Sequence, residues 1–192
     1  MIARRTGKAQ DRRAHRGSAM TTKPRRGRAP EPGFVAKEHD HRSCVAGALD
    51  LAGTLCAQRG VRLTALRSRI LELVWASHRP VGAYEILDAL RDGGRPAAPP
   101  TVYRALDFLV EQGLVHRVQS LNAFVGCRSP ASSHGGEIMV CSACGEAAEL
   151  SGGMVADAAG RRAAEAGFRV ERHTIELFGL CPSCRDAGDD GP

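Results

Sequence analysis

Nothing in this sequence approaches the roughly 18 consecutive apolar residues of a membrane-spanning helix, and its first residues lack the apolar central region of a secretory signal. A soluble, cytoplasmic protein is the expectation. Two zinc-enzyme signatures are missing as well. There is no His-Glu-x-x-His, and the deaminase pairing of His-x-Glu with Pro-Cys-x-x-Cys is not met, because the sequence offers His134-x-x-Glu137 and no Pro before Cys141. A disulfide framework is also excluded. Seven cysteines cannot all pair, and thiols in a chain without a secretory signal stay reduced, where clusters of them bind metal or react.

What the sequence does contain is 43% hydrophobic residues in 192, enough for one or two small domains. The net charge of +6 is unevenly spread. Residues 1–43 hold 12 Lys or Arg against 4 acidic residues, residues 44–122 hold 9 against 7, and residues 123–192 hold 6 against 10. A polyanion would be repelled by the last third and tolerated by the middle. Residues 1–43, rich in Arg, Gly, Pro and Ala without apolar periodicity, read as a disordered basic tail. An Arg-rich start can resemble an organelle transit peptide. Met20 offers a second start, which would leave residues 1–19 untranslated.

Apolar periodicity predicts a helix over Cys44–Gln58, through Val45, Leu49, Ala52 and Cys56, ended by Gly60. Thr64 is the expected N-cap of a second, with Leu66, Ile70, Leu73 and Val74 on one face before Pro80. A third begins near Ala83 and buries Ile86, Leu87 and Leu90. After a turn from Gly93, Pro100 opens a fourth whose stripe is Val102, Ala105, Leu106, Leu109 and Val110, with Gly113 as its cap. Leu114–Val118 and Ala123–Val125, separated by Ser120-Leu121-Asn122, form a hairpin pattern. Helices followed by a hairpin describe a winged helix-turn-helix over residues 44–125.

Residues 126–134, rich in Ser, Pro, Ala and Gly, read as a hinge. Residues 135–185 then offer strands at Ile138–Cys141 and Ala147–Leu150, a helix over Met154–Ala166 and a strand over Phe168–Leu180, before an acidic tail at 186–192. The fold class is α+β. A second unit of this size usually recruits metal or a partner.

Cys141-x-x-Cys144 and Cys181-x-x-Cys184 are the strongest local signal. Two such knuckles supply four thiolates to one tetrahedral Zn²⁺ and leave no open position for a substrate, so this ion would be structural. A thioredoxin-type dithiol needs strand, then CxxC, then helix, whereas Gly145-Glu146-Ala147-Ala148 reads as a turn into a strand.

The stretch Cys56 to Thr64, the run Pro99-Pro-Thr-Val-Tyr-Arg-Ala-Leu-Asp-Phe-Leu109, Glu111-Gln-Gly-Leu-Val-His116 and both cysteine pairs resemble, in order as well as motif, the zinc uptake regulator branch of the ferric uptake regulator superfamily. The resemblance covers about residues 44–184 and leaves out the basic tail. It implies a repressor that dimerises through the second unit and, with zinc bound, binds palindromic, AT-rich operators in double-stranded DNA. It also implies a second, regulatory Zn²⁺ on His116, Cys127, His134 and Glu149, giving two zincs per protomer. Two imidazoles, a thiolate and a carboxylate suit Zn²⁺ and leave the filled site neutral. Taken singly, each of these residues also suits an ordinary surface or core position.

On the fourth helix, Thr101, Tyr103 and Arg104 face outward; an Arg there can donate twice to guanine, and a Tyr can meet a thymine methyl or a phosphate. The resemblance adds Tyr84 as a base contact, and Arg62 and Arg67 are placed to reach phosphates or the minor groove. Asp88 and Arg91 form either an i, i+3 pair or contacts between neighbouring dimers on DNA. His173, with Glu176 and Glu137, could make the third metal site seen in some relatives. An iron, manganese or peroxide sensor on the same scaffold is the alternative; such branches carry a His-rich run before the first CxxC, where this chain has His134 alone. A zinc-stapled protein-interaction module is a remoter reading, since it leaves the winged helix without a role.

Overall fold

The computed structural model describes residues 33–34, 40–130, 136–150 and 152–187. Most of the basic tail including Met20, residues 131–135 with His134, and residues 188–192 of the acidic tail lie outside them.

Helix α1 (His41–Gln58) starts earlier than the expected Cys44, because Asp40 sits in extended backbone and its carboxylate accepts the Arg42 N–H at 3.0 Å. In α2 (Ala65–Trp75), Thr64 caps the N-terminus through an N–H from Arg67 at 3.4 Å. A two-residue strand β1 (Val81–Gly82) then leads into α3 (Ala83–Asp92). Helix α4 (Pro99–Glu111) has both prolines in its first turn, where a missing N–H breaks no helical bond, and so begins at Pro99 rather than Pro100. It ends where Gly113, at φ +64°, turns the chain. The Gly113 N–H goes to the Val110 carbonyl and the Leu114 N–H to that of Leu109, which satisfies the last turn. This reversal delivers the chain directly into the wing.

The wing is β2 (Val115–Val118) and β3 (Ala123–Gly126), with β1 on the other edge in the order β1-β3-β2. Strand β1 has no sequence signal, since two residues cannot show a period. The helices and β2–β3 enclose one core in which Ile70, Val74, Ile86, Leu90, Val102, Leu106 and Leu109 are almost fully buried. Each such side chain contributes on the order of 1.5–3 kcal/mol.

Gly126 and Cys127 belong with the wing rather than with a loose hinge: Gly126 pairs with Val115, and the Cys127 N–H reaches the Leu114 carbonyl at 3.0 Å. Gly126 also lies flat under Trp75, where a Cβ would come within 2.3 Å of the indole.

The second unit is a sheet in the order β5-β4-β6, from β4 (Glu137–Cys141), β5 (Ala147–Glu149) and β6 (Ile175–Gly179), with helix α5 (Met154–Glu165) between β5 and β6 and a short α6 (Pro182–Asp186) at the end. Strands β4 and β6 run parallel, which the long crossover through α5 permits. Strand β6 is shorter than the expected Phe168–Leu180. Phe168 is occupied in closing α5, through its N–H to the Ala163 carbonyl, and the charged run Arg169–His173 joins no ladder. The core of this unit is thin. Ile138, Val140 and Ala147 pack with Val118 and Val125 of the wing, while no residue of α5 is buried. Among the described residues, no helix is long and apolar enough to cross a membrane.

Candidate metal centres and nucleic-acid surface

The parallel register that sets Cys141 opposite Gly179 brings the end of β4 beside the end of β6. Cys141 therefore meets Cys181, and the two turns add Cys144 and Cys184. All four sulfurs lie within 4.8 Å of one another. Cys141 and Cys181 are buried, and the Cys181 N–H donates to the Cys141 sulfur at 3.3 Å. Backbone N–H groups of Cys144 and Cys181 bring the Cys141 thiol down to about 6. By contrast, hydrogen bonding with Cys181, helped by burial, pushes Cys184 up to about 12. One sulfur is thus held ready as an anion while another keeps its proton. Four crowded sulfurs cannot all ionise without a cation among them, and this donor set fits Zn²⁺.

A second cluster straddles the two units. His116 stands on β2, Cys127 follows β3, and Glu149 ends β5; one ligand atom from each lies within 4.8 Å of the others. The His116 Nε2 is 2.6 Å from the Glu149 Oε1, and the Arg128 N–H donates to that same oxygen at 3.1 Å. Cys127 is buried at 3% exposure. Burial, reinforced by the Glu149 carboxylate, raises its thiol far above the ordinary range. An imidazole, a thiol and a carboxylate from three strands suit a borderline-soft divalent ion. Gly136, at φ +63°, lets the returning chain pass against His116, where a Cβ would be 3.2 Å from Nδ1. His134, expected in this set, lies outside the described residues.

The third grouping does not assemble. Among the described residues, His173, Glu137 and Glu176 are not gathered at metal-ligand distance. Buried Glu137 uses Oε1 to accept the Ala156 N–H at the start of α5 at 3.0 Å, and Glu176 turns instead to the wing, accepting N–H groups of Gln119 and Ser120. His173 is exposed.

On the first unit, Thr101 and Arg104 of α4 and Arg62 before α2 are exposed. Tyr84, at the start of α3, is 72% exposed and shares a cleft with half-buried Tyr103 and the wing residues Leu121 and Asn122. Arg67 behaves differently from its expected reach into a groove. Its guanidinium lies 3.5 Å over the Phe108 ring and donates to the Arg62 carbonyl at 2.6 Å, which holds it flat on the protein. Asp88 and Arg91 form an exposed i, i+3 pair at 3.0 Å.

Residues 58–178 match the model of the ferric uptake regulator family. The chain belongs to that family. It is 42% identical over 134 residues to the zinc uptake regulation protein of Escherichia coli K12, an alignment covering 69% of this chain and 78% of the relative. It is 34% identical over 129 residues to that of Mycobacterium tuberculosis, covering 66% and 96%. Among solved structures, a zinc uptake regulator complexed with zinc and DNA superposes with a TM-score of 0.69 at 38% identity, over 79% of this chain and 99% of that one. Membership gives the sequence motifs a common frame. The matched residues include the exposed face of α4, the set His116, Cys127 and Glu149, and the first cysteine pair, while Cys181 and Cys184 follow just after them.

Proposed function

We propose that this chain is a zinc-dependent transcriptional repressor of zinc-uptake genes that acts as a homodimer. The observation that carries the reading is the set His116, Cys127 and Glu149, whose members belong to both units. A ligand held by such a set biases the angle between the units, and a two-state arrangement biased by a ligand is what a sensor requires. Zn²⁺ supplies, when bound, the positive charge that lets the Cys127 thiolate and the Glu149 carboxylate coexist in a buried place. His134, two residues earlier in the sequence than Gly136, is the proposed fourth donor, and Gly136 itself lies against His116. The four cysteines hold a separate structural ion, making two per protomer.

The surfaces support the remaining roles. Thr101, Tyr103 and Arg104 on α4, with Tyr84 beside them, would enter the major groove of a palindromic, AT-rich operator, and Arg62 would reach the backbone. Arg67 supports them from beneath by fixing the loop at Arg62. The second unit exposes the apolar side chains Met154 and Phe168 and, on or just after the edge strand β6, Leu177, Phe178 and Leu180. Exposed apolar surface of this kind calls for a partner, and a second copy of the chain offers the same surface in return.

The deciding experiment is an electrophoretic mobility shift on a palindromic operator, titrated with Zn²⁺, Fe²⁺ and Mn²⁺ under chelation. A shift that requires Zn²⁺ is expected. Binding that persists without metal, or that responds to iron or manganese alone, would overturn the assignment to zinc.

A further inference from the structure

Three residues of the second sheet stand in one row: Glu149 on β5, Ile138 on β4 and Glu176 on β6. Laterally paired residues project from the same face of a sheet, and this face is turned towards the wing. In the centre of the row, Ile138 is 2% exposed and packs with Val118 and Val125. To one side, Glu149 reaches His116 near the start of β2. To the other, Glu176 reaches the turn that follows β2, accepting the Gln119 N–H at 2.5 Å, the Ser120 N–H at 3.2 Å and the Ser120 hydroxyl.

Strand β2 is therefore held at both ends by carboxylates of the second unit, with an apolar contact between. Only the Glu149 end belongs to the metal cluster. At the Glu176 end, a charged acceptor meets two successive backbone N–H groups and a hydroxyl, an arrangement stronger than neutral hydrogen bonds. Burial works upward on the Glu176 carboxyl, but the bonds from Ser120 and Gln119 outweigh it and hold the group below its ordinary value.

We propose that Glu176 is a positioning residue that clamps the wing turn at Gln119 and Ser120, and that this clamp is the fixed pivot about which the two units turn when the His116–Cys127–Glu149 end closes or opens. Of the two carboxylate ties on β2, one is released and the other kept. With both ties lost, the units would hang on the chain through residues 127–136, on the Ala147 N–H donated to the His78 carbonyl at 2.8 Å and on what remains of the apolar contact around Ile138. The pivot role rests on reading the chain as a DNA-binding sensor; the clamp itself does not.

The test compares the full-length protein with its Glu176→Ala and Glu176→Gln variants. In the zinc-loaded dimer, Glu176→Ala should speed amide hydrogen exchange at Gln119 and Ser120 by about tenfold and weaken operator binding by about tenfold, the scale of losing a charged hydrogen-bond acceptor. Zinc content and dimerisation should stay unchanged. Glu176→Gln, which keeps an acceptor oxygen, should recover part of both effects. In small-angle scattering under chelation, Glu176→Ala should have a larger radius of gyration than the parent protein. Equal exchange rates in parent and variant would sink the clamp. Faster exchange with unchanged operator binding and equal radii would sink the pivot. If the zinc-loaded parent itself fails to bind the operator, the repressor assignment falls, while exchange and scattering still decide on Glu176.

Discussion

The two cysteine-containing clusters meet the same distance condition, with ligand atoms within 4.8 Å, yet they differ in where their chain segments come from. All four sulfurs belong to the second unit and join the ends of β4 and β6. The mixed set draws two side chains from the wing and one from β5. An ion in the first can only hold one unit together, whereas an ion in the second must also fix how two units sit against each other. The four-cysteine cluster contains one sulfur brought down to about 6 by backbone N–H groups and another pushed up to about 12, while the single thiol of the mixed cluster, Cys127, is raised by burial and its carboxylate neighbour.

The sharpest way to break this contrast is to remove one ligand from each cluster. Cys144→Ser should abolish the fold and dimerisation of the second unit, because a unit with so few buried residues has little else to hold it. Circular dichroism and sedimentation would read this, and losses on the order of 10 kcal/mol are the scale of structural zinc. Cys127→Ser should instead leave the fold, the dimer and one zinc per protomer in place while weakening operator binding by about a hundredfold, within the coupling range of allosteric ligands. Equal structural loss in both variants would erase the distinction between the clusters.

A smaller effect comes from the proton balance of the mixed site. Because the Cys127 thiol titrates well above neutrality, loading the mixed site between pH 6 and 8 must expel that proton, so zinc affinity at this site should rise by roughly tenfold per pH unit. Competition with a chelator across that range measures it. A thiol of lowered pKa, already ionised above about 6 like Cys141, would contribute no such slope over most of the window. Gly126→Ala bears on the same site sterically. It drives a methyl into the Trp75 ring beside Cys127 and should cost about 1–3 kcal/mol, seen as a lower Tm and altered emission from the single tryptophan. The smallest change is expected at Asp88→Ala, which breaks an exposed pair worth about 0.5 kcal/mol or less. A large loss of operator binding there would point to contacts between dimers.

The fold of the first unit was largely legible because its helices carry their own signals: Thr64 as a cap, the prolines at 99 and 100, and Gly113 at the reversal. Asp40 is readable by the same rule, but it precedes the run of apolar spacing that begins at Cys44, so that spacing alone places the start of α1 too late. The four sulfurs were legible from the CxxC spacings alone, since short motifs bring their own geometry. The mixed set was not, because His116, Cys127 and Glu149 meet through tertiary pairing of strands from two units, and only the family resemblance could suggest it. Two side-chain directions escaped entirely. Nothing in the sequence shows Arg67 lying back on Phe108, or Glu176 turning to the wing instead of towards His173.

The parallel pairing of β4 with β6 has a consequence for biosynthesis. Cys141 and Cys181 are 40 residues apart, and tying ends so separated removes chain entropy from the unfolded state worth about 4 kcal/mol on the loop-closure model. Cys181 leaves the ribosome 40 residues after Cys141. A nascent chain thus carries the wing with His116 and Cys127 for some time before the unit that fixes their orientation can close, and a product cut short before Cys181 would never acquire that closure.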